Sequence, residues 1–440
     1  MNNISQKFNT LGIEVPSVLL PKGNDLRKWP VIACDQYTQD RDYWEKVKAE
    51  TAGEPSTLNL IFPEVFLADS DKEQRIAVIH SEMERCLKDG VFGEPRQGFI
   101  YLERDTPFQK KRRGLIASVD LEQYDWKPEA RPLIRCTEGT VADRLPPRMD
   151  IRRGAPLELP HVLLLIDDDT GILPALGERA KKNAPVYSTQ LMMDSGSVSG
   201  WFLDSQDDLA FAFEKFEKIC GRSASRYAGN GEPFLFAVGD GNHSLASAKG
   251  IWEEYKAAHP SNGLPVHPCR YALVEIEDIY DPAIQFEPIH RVIFEAGFEK
   301  TVALLSKLPD FACRAVNNAR ELASLCKRSS ASNCFGIISE KRYALAETSA
   351  SGIATACLQP LLDKYAEGDP SLIDYIHDEG EVFRLADSGP ERLTAGILLP
   401  PVQKSGLFET VARLGPLPRK SFSMGHSCEK RFYLECRTLF

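Results

Sequence analysis

The stretch Phe234–Ala258 reads FLFAVGDGNHSLASAKGIWEEYKAA, and its pattern decides the fold class. Phe234–Val238 is a run of five apolar residues, suited to a buried strand. It leads into Gly239-Asp240-Gly241-Asn242. Then Ala248, Ile251, Trp252 and Tyr255 recur at i, i+3, i+4 and i+7, one face of a helix. The two glycines permit backbone angles that other residues resist. Asp240 or Asn242 is placed to cap the helix with its side-chain oxygen. The first turn of such a helix leaves N–H groups unpaired at the positive end of the helix dipole, a recipe for holding a phosphate or carboxylate. His243 and Ser244 lie in that turn, and Lys249 would have to fold back to help. The carboxyl end of a strand is also where open α/β sheets place ligands. A tight βα turn with a capping Asn is the alternative, because GDGNHS has neither the GxxxxGK[ST] nor the GxGxxG spacing. Asp240 would repel a phosphate and fits better as a general base or as a metal or hydroxyl partner.

Outward from this joint, short apolar runs alternate with helical patterns. Trp29–Cys34, Gly98–Leu102, Arg113–Val119, Val162–Ile166, Tyr271–Ile276, His290–Phe294 and Ala395–Leu399 read as strands. Asp71–Lys88 and Leu209–Ile219 read as helices, and Asn230-Gly231 is a turn signal before the central strand. Helices at Thr301–Lys307 and Ala319–Lys327, with a strand pair near Cys334–Ile338 and Arg342–Leu345, suggest an insertion. A helix is expected near Leu361–Tyr365. The expected architecture is mixed α/β: a core over 1–297, a variable insertion over 298–364, and a segment over 365–440 packing back on the core.

Three further constellations bear on chemistry. Asp167-Asp168-Asp169 follows an apolar run, and carboxylates at a strand end suit Mg²⁺ or form a solvated acidic turn. Arg131–Gly154 holds six arginines, including Arg135 and Arg144, suited to phosphate recognition or to internal pairing with Glu138, Asp143 and Asp150. Thr137-Glu138 is a hydroxyl–carboxylate pair fit to stand beside a site. The aspartate next to Cys34 raises a thiol pKa and argues against a cysteine nucleophile. The sequence has no HExxH helix and no GxSxG elbow, and DSGSVSG at Asp194–Gly200 reads as a Ser/Gly loop.

Composition limits the choices. The chain has 440 residues, with 53 basic and 63 acidic side chains and a net charge of −10, which disfavours a broadly basic nucleic-acid binder. It has no apolar run long enough for a membrane helix, and no leader pattern at its start. Eleven cysteines without a CxxC pair suit free thiols in a reducing cytoplasm.

Several stretches together resemble the domain-of-unknown-function 1015 family. They are WPVIACDQYTQDRDYW (Trp29–Trp44), IRCTEGTVADRLPPR (Ile134–Arg148), PHVLLLIDD (Pro160–Asp168), AVGDGNHSLASAK (Ala237–Lys249), FEPIHRV (Phe286–Val292), IDYIHDEGEV (Ile373–Val382) and LPRKSFSMGHSCEKRFYLECR (Leu417–Arg437). The GDGNHS turn is similar to that of the ParB/sulfiredoxin superfamily, which includes ATP-dependent sulfiredoxins and free-serine kinases. The resemblance implies a ParB-like nucleotide-binding core, with Gly239, Asp240, Gly241, Asn242, His243 and Ser244 at the phosphates. Several relatives have arginine at the position of Ser244, so an arginine of the 131–153 segment would have to replace it. The implied function is a Mg²⁺-dependent phosphotransferase using ATP or ADP on free serine or a similar metabolite. Asp240, His243 and Glu138 are then catalytic candidates. Asn242, Ser244, Lys249, Arg135 and Arg144 bind phosphate, and Asp167 and Asp168 bind the metal. The alternatives are a phosphatase acting on phosphoserine or a similar metabolite, and a non-catalytic nucleotide or metabolite sensor.

Overall fold

The computed structural model describes residues 2–22, 26–227, 233–260, 267–328, 333–387 and 393–440. Asn230-Gly231 lies outside them. The chain divides into two compact units, Met1–Ile284 with Gly425–Phe440, and Gln285–Met424. The second unit is therefore wider than the expected 298–364 insertion. Its sheet includes strands on both sides of that stretch, and the first unit takes back only the last residues of the chain.

The first unit is built on a nine-stranded mixed sheet. Its strands are β1 (Ile13–Glu14), β2 (Phe99–Asp105), β3 (Arg112–Asp120), β4 (Ile134–Cys136), β5 (Leu163–Ile166), β6 (Tyr187–Gln190), β7 (Ser197–Leu203), β8 (Phe236–Asp240) and β9 (Tyr271–Asp278). The spatial order is β4-β8-β5-β9-β3-β2-β7-β6, with β1 beside β3. β8 runs parallel to β4 and antiparallel to β5, while β5 runs parallel to β9. Its helices include α1 (Lys72–Lys88), α2 (Leu145–Arg152), α3 (Ile172–Ala180), α4 (Gln206–Tyr227) and α5 (Asn242–Ala258). Their apolar faces are buried as the periodicity predicts, for example Ile79, Met83 and Cys86 on α1.

Two strand-level expectations change. Trp29–Cys34 forms only an isolated bridge, Ile32 to Phe432. Pro30 has no N–H to give a ladder. DSGSVSG is half strand, because Ser197 onward belongs to β7, with Val198 buried.

β9 is buried from Ala272 onward yet carries Glu275 and Glu277. These carboxylates meet Arg431 (3.2 Å) and Arg112 (2.8 Å). Arg104 donates to the carbonyls of Cys428 (2.7 Å) and Glu429 (2.9 Å), and Arg112 donates to the latter at 2.7 Å. Buried arginines thus fasten 428–431 to the sheet. Breaking such a buried pair leaves an uncompensated charge, so the segment is held tightly.

The second unit has a six-stranded antiparallel sheet. Its strands are β10 (His290–Phe294), β11 (Ala312–Val316), β12 (Asn333–Ser339), β13 (Arg342–Thr348), β14 (Ile373–Ile376) and β15 (Thr394–Leu398), in the order β11-β13-β12-β15-β10-β14. Its helices include α6 (Phe298–Leu305), α7 (Ala319–Arg328), α8 (Ala354–Tyr365), α9 (Glu379–Asp387) and α10 (Lys404–Leu414). No helix among the described residues is long and apolar enough to cross a membrane. All eleven cysteines are free thiols.

Candidate functional site

The β8–α5 joint forms as the sequence predicts, but it is capped differently. Gly241, with φ +81°, is the N-cap, and no side chain among the described residues caps α5. Asp240 instead turns back and accepts from the Gly241 N–H at 3.1 Å. A Cβ on Gly241 would stand 3.1 Å from the Val162 backbone, so the joint passes close to the start of β5. Gly239 lies where the β8–β5 register shifts, a local irregularity that re-aims the chain. The Asn242 side-chain oxygen is buried at the helix start and accepts no hydrogen bond from the described residues. Ser244 is half-buried in the same turn.

Two other segments reach this edge. β4 is parallel to β8, so the loop after Cys136 leaves the sheet beside Gly239–Asn242. There the Thr137 hydroxyl donates to the Val238 carbonyl at 2.6 Å, and the Val141 N–H donates to His243 Nε2 at 3.2 Å. That loop carries Glu138, half-buried, and Arg144, exposed just before α2. From the end of the chain comes Lys430, 6% exposed, with Nζ 3.2 Å from Asp240 Oδ2. The buried Arg104 donates to its carbonyl, and Arg104 and Arg112 both donate to the carbonyl of Glu429 just before it. Behind the joint, Tyr433 hydrogen-bonds His161 Nδ1 (2.7 Å) and accepts from the Cys34 N–H (3.1 Å). Glu64 accepts from Arg148 at 2.7 and 2.5 Å. Burial raises the Glu64 carboxyl above its ordinary range, against the pull of Arg148. Burial also drives the Cys34 thiol far up, with Glu64 and Asp35 adding to it, so Cys34 is not a thiolate nucleophile.

Of the residues singled out in the sequence, Asp240, Gly241, Asn242, His243, Ser244 and Glu138 come to one sheet edge. Sequence reasoning misses Lys430. The only signal was the SMGHSCEKR stretch, whose spatial place depends on long-range pairing. Four other expected residues lie elsewhere. Lys249 pairs with Glu253 (2.8 Å) and Glu122 (3.7 Å), about 10 Å along the helix from its start. Arg135 is buried and turned the other way: Nε donates to the Pro132 carbonyl at 3.0 Å, and the guanidinium stacks 4.7 Å over Phe234. Asp167 and Asp168 follow the carboxyl end of β5. β5 is antiparallel to β8, with Asp240 opposite Leu163, so the two aspartates sit at the opposite sheet edge, about 15 Å away. Asp168 accepts from the N–H groups of Thr170 (2.8 Å) and Ile172 (2.6 Å) at the start of α3, and from Arg222 (3.2 Å). Asp167 pairs with Arg226 at 3.1 Å and accepts from Tyr227. These carboxylates serve a helix start and ion pairs. Among the described residues, no group of three or more His, Cys, Asp and Glu side chains is arranged to hold a metal.

Residues 19–365 match the family model described as "Protein of unknown function (DUF1015)", and the chain belongs to that family. Ile373–Val382 and Leu417–Arg437 lie outside the matched residues. No curated protein matches the chain. Among solved structures, it is similar to a free serine kinase in complex with AMP, with 13% identity, 74% of this chain and 93% of that one covered, and a TM-score of 0.36. It is also similar to a conserved hypothetical protein from Pyrococcus furiosus (12%, 74% and 94%, TM-score 0.34). A third is SbnI with a C-terminal truncation from Staphylococcus aureus (10%, 70% and 82%, TM-score 0.36). Likenesses of this size leave the functional reading to the site itself.

Proposed function

We propose that the first unit is a nucleotide-dependent phosphotransferase acting on the hydroxyl of a small metabolite, with free serine the compound that the family resemblance implies. The observation that carries this reading is the meeting of a helix start with no side-chain cap among the described residues, a nearly buried lysine and a carboxylate on one sheet edge, from segments remote in sequence. Phosphoryl transfer needs little beyond positioning and charge neutralisation, and this set supplies both.

In this reading the N–H groups of α5, with Asn242 and Ser244, hold the phosphates of ATP or ADP. Lys430 shifts from Asp240 to a phosphate oxygen. Asp240 or Glu138 then takes the hydroxyl proton. The substrate oxygen bonds to the terminal phosphorus, and the bond from that phosphorus to the remaining nucleotide breaks. Arg144, at the rim, steadies the transferring charge. His243 acts through the loop it pins at Val141. A Mg²⁺ ion would enter on the nucleotide phosphates, which supply oxygens of the kind it prefers.

The test is a transfer assay with ATP or ADP, Mg²⁺ and free serine, together with thermal shifts against nucleotides and phosphoserine. Turnover is expected in the wild type. Asp240→Asn should lose about 100-fold or more, as expected for a general base, with a fall in melting temperature because Lys430 keeps only a neutral partner. Full activity in Asp240→Asn removes its role. Phosphoserine hydrolysis without nucleotide would make the site a phosphatase, and binding without turnover would make it a sensor.

A further inference from the structure

Glu275 and Glu277 stand two residues apart on β9 and so share one face of the sheet. Both are buried, and their carboxyl groups are in hydrogen-bond contact with each other. Gly114 on β3 makes the room, since a Cβ there would stand 2.2 Å from Glu275 Oε1. Arg431 approaches Glu275 at 3.2 Å and Arg112 approaches Glu277 at 2.8 Å, yet no N–H or O–H of the described residues aims a well-directed hydrogen bond at either carboxyl. Two touching carboxylates out of reach of water do not both stay ionised. A proton between them supplies the hydrogen bond that the surroundings withhold. Burial raises the Glu277 carboxyl well above its ordinary value of 4.5, against the pull of Arg112, and Glu275 and Asp281 add to the rise.

The other charged and titratable groups facing the pair are Arg104 on β2, Tyr187 on β6 and Glu435 near the chain's end. Asp281 is itself paired with Arg113 at 3.2 Å. Burial lowers Arg104, with Arg112 and Arg431 adding to it, but a guanidinium starts so high that it keeps its charge at neutral pH. Burial also keeps the Tyr187 phenol protonated, and it donates to Glu435. Arg104, Arg112 and Arg431 thus face Glu275, Glu277 and Glu435, and one shared proton leaves this group a single net positive charge. The charge lies beside the candidate site. Asp240 stands opposite Leu163, and Leu163 opposite Glu275, so two strand spacings, about 10 Å, separate Asp240 from the pair. Lys430, which meets Asp240, is followed directly by Arg431, which meets Glu275. We infer that Glu275 and Glu277 hold one proton between them, and that this proton sets the charge felt by phosphates at the start of α5, so that its release weakens phosphate binding. The two glutamates are then positioning residues. The phosphate in this inference rests on the phosphotransferase reading, whereas the shared proton does not.

The test uses the full chain and Glu277→Gln, which keeps the side chain's shape and fixes the pair in a protonated-like form. Glu275→Gln does the same from the other side and serves if the first variant fails to fold. Urea unfolding from about pH 5 to about pH 9 reads the proton. A carboxyl raised in the fold contributes stability below its unfolded pKa and loses it as pH rises through the folded one. The unfolding constant of wild type, divided by that of the variant, should therefore rise by up to about tenfold per pH unit until the proton is released. Titration with ADP and Mg²⁺ at about pH 7 and about pH 9 reads the coupling. Wild type should bind about tenfold more weakly at the higher pH, the size expected of one charge at this distance, and the variant equally at both. An unfolding ratio that does not change with pH overturns the shared proton. ADP binding with the same pH dependence in wild type and variant overturns the coupling and leaves the phosphotransferase reading standing. No ADP binding at either pH, with the unfolding ratio as expected, overturns that reading and the coupling while the proton pair stands.

Discussion

Lys430 and Asp168 show how a side chain's role is set by what its backbone is tied to. Lys430 is nearly buried, yet its ammonium meets the site because Arg104 and Arg112 hold the carbonyls around it. Lys430→Met keeps the length of the stem and removes the charge. Nucleotide affinity should fall about tenfold or more, since a charge-assisted contact to phosphate is lost. Titration of ADP into wild type and variant reads this directly, and equal affinities would remove Lys430 from the proposed phosphate site. Asp168 is the contrary case. Its oxygens are spent on Thr170, Ile172 and Arg222. Asp168→Ala should therefore cost about 1–2 kcal/mol of stability, as a lost helix cap does, in urea unfolding. The phosphoryl transfer proposed for the first unit, and any Mg²⁺ dependence of it, should not change. A raised Mg²⁺ requirement in that variant would return Asp168 to the metal.

At the scale of elements, the strand–turn–helix joint concentrates the constraint in Gly241. Its φ of +81° and the 3.1 Å approach of Val162 both oppose a side chain. Gly241→Ala should destabilise the first unit by about 1–2 kcal/mol and weaken nucleotide binding, because the N–H groups of α5 would tilt. Thermal unfolding with and without ADP separates the two effects, and an unchanged melting temperature would contradict the strain argument. This joint was legible in the sequence because its signals are local: five apolar residues, two glycines, then helical periodicity. The mixed α/β class and most element positions come from the same kind of signal. Which sheet edge a residue reaches was not legible. Asp167 and Asp240 each end a strand, and only the antiparallel pairing of β5 with β8 sends them to opposite edges. Arg135 sits beside Ala237 in register, and its guanidinium lies over the ring of Phe234 and donates to the Pro132 carbonyl. Trp29–Cys34 has the composition of a strand, but its partner is the single bridge at Phe432.

At the scale of the whole molecule, the two units carry buried groups that titrate in opposite senses. In the first unit, burial pushes the carboxyls of Glu14 and Asp278 up to about 7. A carboxyl whose folded pKa is raised binds its proton more tightly when folded. That stability is complete below the unfolded pKa and is lost as pH rises toward 7. In the second unit, burial pushes the His290 imidazole down to about 4, with Arg291, Lys327 and His377 adding to the effect and Glu379 opposing it. His290 Nδ1 accepts from the Leu399 N–H at 3.1 Å, which requires that nitrogen to be unprotonated. Its contribution is present above the ordinary value of 6.5 and is lost as pH falls toward 4. Each such group changes stability by about 1.4 kcal/mol per pH unit inside its window. Between pH 4.5 and 6.5 the first unit should therefore lose stability while the second gains it. Scanning calorimetry across that range should show two transitions moving in opposite directions as pH rises. Glu14→Gln should flatten the first trend. His290→Asn, which keeps an acceptor near the position of Nδ1, should flatten the second. A single transition with one pH trend, unmoved by either substitution, would mean that these buried groups do not govern the pH response of the two units.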